Sequence, residues 1–447
     1  MSKAARAART SAALETGTVV DLTHEGEGVV RGGEVGGKTV FIAGALPGER
    51  VTYRRRGFHK SHDEAELVEV LDASPDRVVP RCAHFGVCGG CALQHLAPEA
   101  QLAAKQKELA TNLERIGNVT PETWLPPLLG PHWGYRRRAR LSSRYVSKKG
   151  RSLVGFREKQ GKYVADVTRC EVLAEPVGAL VGTFAELLTS MAGRASIPQI
   201  EVALSDGERA LVIRVLDPLN EDDLAKLRDL ERAQGLRILL QPGGLDSIVP
   251  LTPGPLDLHY RLDAFDLKLD FGPTDFVQVN AAINQSMVAR AIELLELAPT
   301  DRVLDLYCGL GNFTLPMARH AAAVTGIEGE ASLIERARAN ARSNGISNAD
   351  FHVGDLSQPP DRTLSWMRNR YDAVLLDPPR VGAREVLSAV AHLAPRRVVY
   401  ISCHTGSLAR DLGVLTHELG FRLRAAGVLD MFPHTTHVES VAVLDRG

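Results

Sequence analysis

Between residues 15 and 72 apolar and polar positions alternate in five short runs: "TGTVVDL", "GEGVVR", "KTVFIAG", "ERVTYRRR" and "EAELVEVLD". Gly, Pro and charged turns separate them, and no three-to-four spacing intervenes, so each reads as a strand. Five such strands predict an OB-like β-barrel over residues 12–73, a fold that often presents a nucleic-acid surface. "DASPDRVVP" (72–80) reads as a linker. From Pro98 the apolar spacing becomes helical, and "PEAQLAAKQKELATNLERIG" predicts a helix ending at Gly117. Residues 133–271 mix strand runs ("YRRRARLSSRYV", "QIEVALS", "RALVIRVL", "LRILLQ") with helical stretches near 177–192 and 219–233. The expectation is a central α+β domain covering 74–271.

At about residue 272 the pattern changes again. "NAAINQSMVARAIELLEL" sets Ile283, Met287, Ala291, Leu294 and Leu295 on one helical face, with Asn280 placed as its N-cap. Strand runs then recur at "DRVLDLY", "AAVTGIE", "ADFHV", "YDAVLLD" and "RRVVYIS", each followed by a helical stretch. That alternation predicts a parallel α/β sheet with right-handed crossovers over 272–447. "FRLRAAGVLDMF" and "THVESVAVLD" read as an antiparallel end hairpin.

Composition narrows the class. The chain has 447 residues, 44% hydrophobic and 24% charged, which is that of a globular protein of several domains. No run of eighteen apolar residues exists and the N-terminus has no apolar core, so neither a membrane span nor a secretory signal is expected. The first fourteen residues are basic and free of acids, and read as a solvated tail. Net charge is −1, so attraction to a nucleic acid has to come from local patches. Two basic runs qualify: Arg54-Arg55-Arg56 with His59 and Lys60, and "YRRRAR" (135–140). Phosphate contact and pairing with acids are open alternatives for both. Six cysteines without a secretory signal point to a reducing, cytoplasmic setting, in which clustered thiols are more often metal-binding or catalytic than disulfide-bonded.

Candidate chemistry lies at the carboxyl ends of the α/β strands, where ligands of open α/β sheets bind. The first runs into "LDLYCGLGNF" (304–313), whose Gly309 and Gly311 permit a tight turn against a ligand. Asp305 ends that strand and Glu328 the next, positioned for a ribose diol. Phe313 and Thr314 stand where a dinucleotide fingerprint has its third glycine. That disfavours a pyrophosphate and favours S-adenosylmethionine over a ligand-free turn. "GDL" puts Asp355 on the same rim, and "LLDPPR" adds Asp377 with a proline wall. The fifth strand ends at Cys403, before a helix whose N-terminal dipole is expected to lower a thiol's pKa. Glu439, charged among Val438 and Val441, invites a general-base role; a surface ion pair is the alternative.

With these motifs in order, nearly the whole chain resembles the iron–sulfur-containing ribosomal-RNA uracil-5-methyltransferases. "HEGEGVVR…KTVFIAGALPGERV" is similar to that family's TRAM barrel. The early cysteines, "FVQVN", "LDLYCGLGNF", "LLDPPR", "SCHTGSLARDL" and "FPHTTHVES" match its other motifs. One departure is Thr405, where the family often has proline two residues after its nucleophile. The resemblance implies Cys403 as nucleophile and Glu439 as base. It implies Gln278, Tyr307, Asn312, Glu328, Asp355 and Asp377 around the methyl donor and uracil. It further implies a monomeric enzyme acting on 23S rRNA, most plainly at the uridine conventionally numbered 1939, with other rRNA uridines and tRNA as alternatives. A thiol oxidoreductase would need a second cofactor motif, which the sequence lacks. A non-catalytic iron–sulfur RNA-binding protein would have no use for both Cys403 and Glu439.

Cys82, Cys88 and Cys91 cluster within "RCAHFGVCGGC". With Cys308 in the donor loop and Cys403 assigned to catalysis, Cys170 remains as a fourth ligand. Four thiolates suit zinc or a [4Fe–4S] cluster. A triplet plus one distant cysteine, together with the family resemblance, favours the cluster in a structural role.

Overall fold

The computed structural model describes residues 13–32, 37–159 and 161–447. The basic tail, up to residue 12, lies outside the described residues. The chain forms two compact units. One comprises Met1–Lys105, Glu158–Gly161 and Pro433–Thr436; the other comprises Gln106–Arg157, Lys162–Phe432 and His437–Gly447.

In the first unit β1 (Glu15–Leu22), β2 (Glu27–Val30), β3 (Thr39–Ala43), β4 (Arg50–Phe58) and β5 (His62–Asp72) close a barrel in the order β1-β2-β3-β5-β4. Alternation along each strand turns Val19, Val30, Val40, Ile42, Val51 and Tyr53 inward. The five expected strands are all present. The arginine run divides. Arg55 is held between Glu15 (2.8 Å) and Asp63 (2.7 Å), and Arg56 pairs with Glu66. Arg54 and Lys60 carry no ion pair among the described residues. The cysteine loop follows as a series of turns, and α1 (Pro98–Asn112) begins in this unit.

The second unit continues α1 through a π-turn at Leu113–Gly117, so the helical segment stops at the predicted glycine. After the two-residue β6 (Thr123–Trp124) come β7 (Arg138–Val146), β8 (Arg151–Gly155), α2 (Val177–Ser190), β9 (Gln199–Leu204), β10 (Arg209–Arg214), α3 (Glu221–Gln234), β11 (Arg237–Gln241) and β12 (Val249–Pro250). Their strands form one sheet, ordered β12-β11-β10-β9-β7-β8. The arginines of 136–140 are engaged within the fold. Arg137 pairs with Asp206 and Arg140 with Glu201. Arg138 donates to the carbonyls of Pro273 and Asp275, and Arg136 lies over the Phe156 ring. Arg137 and Arg140 thus pair with acids, one of the two readings expected for this strand, while Arg136 and Arg138 bond to backbone carbonyls.

The hairpin β13 (His259–Leu262)/β14 (Leu267–Asp270) leads into α4 (Ala281–Leu295). Asn280 caps α4 by accepting from the Ile283 N–H, and Ile283, Met287, Ala291 and Leu295 are buried. The main sheet contains β15 (Arg302–Leu306), β16 (Ala323–Glu328), β17 (Ala349–Val353), β18 (Ala373–Leu376), β19 (Arg397–Ser402), β20 (Phe421–Leu429) and β21 (Glu439–Arg446). Its order is β17-β16-β15-β18-β19-β21-β20-β6. The first five are parallel, and β21 runs antiparallel to β19 and β20, as the end hairpin requires. The crossovers carry α5 (Thr314–Ala318), α6 (Ala331–Ser343), α7 (Leu387–Leu393) and α8 (Thr405–His417). One expectation fails. β17 is followed by a loop and a single 3-10 turn at Ser365–Arg368, not a helix. Pro359 and Pro360 remove two backbone donors and restrict the residue before them, which prevents helix propagation.

Two glycines bring α1's π-turn against α8. A Cβ on Gly117 would lie 2.4 Å from the Ala409 carbonyl oxygen, and one on Gly413 would lie 2.8 Å from the Gly117 carbonyl oxygen.

Candidate active site

The carboxyl edge of the main sheet gathers the chemistry. β15 ends in Asp305 and Leu306, and the chain then turns sharply at Tyr307, which adopts φ 68° although it is not glycine. The amides of Tyr307 and Cys308 both donate to the Ile327 carbonyl at 2.9 and 3.0 Å, which offsets the cost of that conformation. Gly309 and Gly311, also at positive φ, complete the loop. Glu328 closes it from β16: its carboxylate accepts from the Gly309 amide (3.2 Å) and the Gly329 amide (2.7 Å).

Asn312 sits in a closed amide exchange. Its side chain donates to and accepts from Asn284 of α4, both at 3.0 Å, and accepts from the Tyr260 hydroxyl at 2.9 Å. Gln278 lines a small cavity with Tyr260, Phe271 and Asn284. Asp355 is exposed on the rim, where Ser357 donates to it at 2.6 and 2.9 Å and holds its carboxyl below the usual range. The Tyr307 hydroxyl donates to the Leu356 carbonyl at 3.3 Å. Cys308 packs inward against Gly326, and burial pushes its thiol well up.

Cys403 and Glu439 meet at the end of one ladder. β19 and β21 pair antiparallel with Ser402 opposite Ser440, so Cys403 directly follows the last residue of β19 and Glu439 is the first residue of β21. Glu439 is 3% exposed, and burial, then the Asp377 charge, raise its carboxyl well above the ordinary value. Burial also raises Asp377, to about 7. The Cys403 thiol does not respond as the helix dipole alone would have it. Burial first, then Glu439 and Asp377, push it up to about 11. Desolvation and two nearby acids outweigh the dipole at a position two residues before α8.

Asp305 is the acid among these that the sequence reading noticed but did not place in the site. It is fully buried, accepts from the Thr314 hydroxyl at 2.5 Å, and leaves Oδ1 without a partner. Burial lifts it to about 8, with Asp377 and Glu328 adding to the shift. Glu328, Asp305, Asp377 and Glu439 thus form a linked line of acids, and none of them makes an ion pair among the described residues. A cationic ligand is what such a crevice fits, and S-adenosylmethionine carries both a sulfonium and an ammonium. Tyr260 and Asn284 were missed because nothing near them in sequence marks their convergence on Asn312. Asp411 was missed too. It accepts from the Tyr400 hydroxyl and the Ala383 amide, both at 2.7 Å, tying α8 to the loop after "DPPR".

The cysteine loop belongs to the first unit and Cys170 to the second. In the loop, the Phe85 amide donates to the Cys82 carbonyl and the Cys88 amide to the His84 carbonyl. The Gly90 amide points at the Cys88 sulfur, 3.5 Å away. Cys170 is buried, its amide bonded to the Gly178 carbonyl.

Comparison with known proteins shows what the whole chain is similar to. The 23S rRNA (uracil(1939)-C(5))-methyltransferase RlmD of Xanthomonas euvesicatoria pv. vesicatoria (strain 85-10) is 52% identical over 428 residues, 96% of each chain. The enzyme of the same name from Xylella fastidiosa (strain Temecula1 / ATCC 700964) is 51% identical over the same span. Among solved structures, the Pyrococcus abyssi tRNA (uracil-54, C5)-methyltransferase in complex with S-adenosyl-L-homocysteine shares the fold. Its TM-score is 0.72 at 24% identity, covering 96% of this chain and 99% of that one. A family model described as tRNA (Uracil-5-)-methyltransferase matches residues 98–447. On that match and those relatives, this chain belongs to the RNA uracil-5-methyltransferase family.

Proposed function

We propose that this chain methylates carbon 5 of one uridine in 23S rRNA, the one numbered 1939, with S-adenosylmethionine as donor. The observation that carries the reading is the 52% identity across 96% of both chains to an enzyme of that name. The position of Cys403 just past the end of β19, where it feels the charges of Glu439 and Asp377, supports the chemistry.

Carbon 5 of uracil is too weak a nucleophile to be methylated unaided. Cys403, having released its thiol proton to solvent, adds through Sγ to carbon 6, and the electron pair of the carbon 5–carbon 6 double bond moves into the enolate that carries charge at carbon 5. When bound, S-adenosylmethionine supplies the electrophilic methyl that carbon 5 takes. Glu439 then removes the proton from carbon 5; the electrons of that C–H bond reform the ring double bond and expel Cys403 from carbon 6. Asp305, Glu328 and Asp377 provide the negative surroundings for a cation, Tyr307 and Asn312 shape the donor crevice, and Gln278 and Asp355 stand at its margins.

The barrel over 12–73 serves as an RNA-binding module, residues 74–271 as a cluster-bearing domain and 272–447 as the methyltransferase domain. Cys82, Cys88, Cys91 and Cys170 hold a [4Fe–4S] cluster. Support comes from the donor set and from the amide directed at the Cys88 sulfur, as amides are around thiolate ligands. The protein acts as a monomer in the cytoplasm; no helix among the described residues is long and apolar enough to cross a membrane.

The deciding experiment is methyl transfer from labelled donor to purified 23S rRNA, followed by mapping of 5-methyluridine. Label at uridine 1939, absent when that base is changed to cytidine, is the expected result. Label in tRNA and none in 23S rRNA would replace the substrate while leaving the chemistry in place.

A further inference from the structure

We propose that Thr405 is a positioning residue: a hydroxyl clamp from Thr405 to Glu108 and Asn112 fixes the start of α8 and with it the place of the Cys403 sulfur. The inference rests on Cys403 being the nucleophile. Thr405 is 3% exposed and lies two residues beyond Cys403, as the first residue of α8. Its hydroxyl donates to Glu108 Oε1 at 3.0 Å and accepts from Asn112 Nδ2 at 2.7 Å. Glu108 and Asn112 are four residues apart on α1, so they present both bonding groups from one helix face. A hydroxyl has one hydrogen to give, and here it gives and receives in a single, directed arrangement.

Every neighbour of the nucleophile is tied to a different element. Ser440 of β21 donates to the Ser402 carbonyl at 3.2 Å. His404 caps α8, its ring accepting from the Ser407 amide at 3.1 Å. Ser407 in turn donates to the Arg380 carbonyl at 2.9 Å, in the loop after Asp377. Thr405 supplies the link to α1. Without it the first turn of α8 keeps its connections to β19 and the "DPPR" loop but loses its hold on the side facing α1.

The first helical position is also where proline fits best, because that amide has no intrahelical acceptor and proline's fixed φ suits the helix. The residue before a proline must be extended, and His404 is, at φ −148° and ψ 107°. Two chemically unrelated solutions thus serve one position. A ring restricts the main chain from within, whereas this chain restrains it from outside through two hydrogen bonds.

The test compares Thr405→Val, which keeps the shape and removes both bonds, with Thr405→Ser and Thr405→Pro. Displacing a reacting group by about 1 Å costs roughly 10²-fold in rate, and a partial release should cost about tenfold. Thr405→Val should lower kcat for methyl transfer by about that factor, with the KM values for donor and RNA nearly unchanged. Thr405→Ser should retain most of the rate, and Thr405→Pro should recover most of what the valine loses. Independently of any RNA, the pH profile of Cys403 alkylation by iodoacetamide in the ligand-free protein should shift in Thr405→Val and return in Thr405→Pro. Asn112→Ala, at a half-buried site, reads the same clamp should the valine variant fail to fold. Wild-type kcat with an unshifted alkylation profile in Thr405→Val, or a proline variant as slow as the valine one, would overturn the proposal. A wild-type protein inactive on every RNA, with the alkylation profile still shifting as stated, would count against the proposed function and not against the clamp.

Discussion

Glu439 begins β21 as a buried carboxyl, and its neighbours set its protonation more than its own chemistry does. Its carboxyl is raised well above its ordinary range, so in the proposed reaction it can act as base only when the crevice around it gains positive charge. Glu439→Gln keeps the shape and removes the base. Addition of Cys403 and methyl transfer then remain open, while release slows by the roughly 10²–10⁴-fold typical of general-base loss. The expected outcome is a protein–RNA adduct with unmodified uracil that survives denaturing electrophoresis; wild-type turnover would place the base elsewhere. A second measurement reads the thiol directly. In ligand-free protein the rate of Cys403 alkylation should climb with pH toward about 11, because the thiol is raised and only the thiolate reacts. Glu439→Gln removes one of the charges that raise it. Alkylation at pH 9 should therefore be faster in that variant, and a slower rate would contradict the assignment of cause. The sequence singles out Glu439 because its charge interrupts an apolar strand, and Cys403 because it falls at the carboxyl edge of the fifth strand. It does not single out Tyr260 and Asn284. Each looks ordinary in its segment, and only folding brings them to Asn312.

At the scale of elements, strands that are buried on both faces wrote themselves plainly. "RVLDL", "AVLL" and "RVVYIS" are almost wholly apolar runs, and all lie within a residue or two of their predicted bounds. β6 was not foreseen, since two residues paired beside β20 leave no period to detect. The internal pairing of the 136–140 arginines was equally hidden, since their partners Asp206, Glu201 and Asp275 lie 61 to 137 residues away. One polar residue in an apolar strand carries a testable consequence. Asp305 has a folded pKa of about 8 against an ordinary value of 3.8. Across that interval the folded chain keeps a proton that the unfolded chain has released. Its contribution to stability is therefore full at low pH and is lost as pH rises toward 8. Asp305→Asn abolishes this loss. In thermal melts of ligand-free protein the variant should gain on the wild type between pH 5 and pH 8, and an equal difference at both pH values would contradict the shift.

For the whole molecule, the open question of chemistry is what the thiols of the first unit hold. Anaerobically purified protein should be brown and carry about four irons per chain, the stoichiometry of a four-thiolate [4Fe–4S] site. Cys170→Ser should lose colour and iron while leaving S-adenosylmethionine binding, measured by calorimetry, close to wild type. Colourless protein with one stoichiometric zinc would show that the triplet serves zinc instead. The cysteine spacing was legible from the sequence, and with the family resemblance it favoured iron–sulfur over zinc; thiolate ligands by themselves suit both.

The meeting of Gly117 and Gly413 bears on how this protein can vary. Backbone touches backbone there, so neither position tolerates even a methyl group unless its helix retreats. Because α8 begins two residues after Cys403, the proposed nucleophile, such a retreat would reach the catalytic site as well as the packing. A mutational library scored for expression would register the lost packing of alanine at either glycine, and one scored for turnover would fall further still. The two scores would separate at these positions.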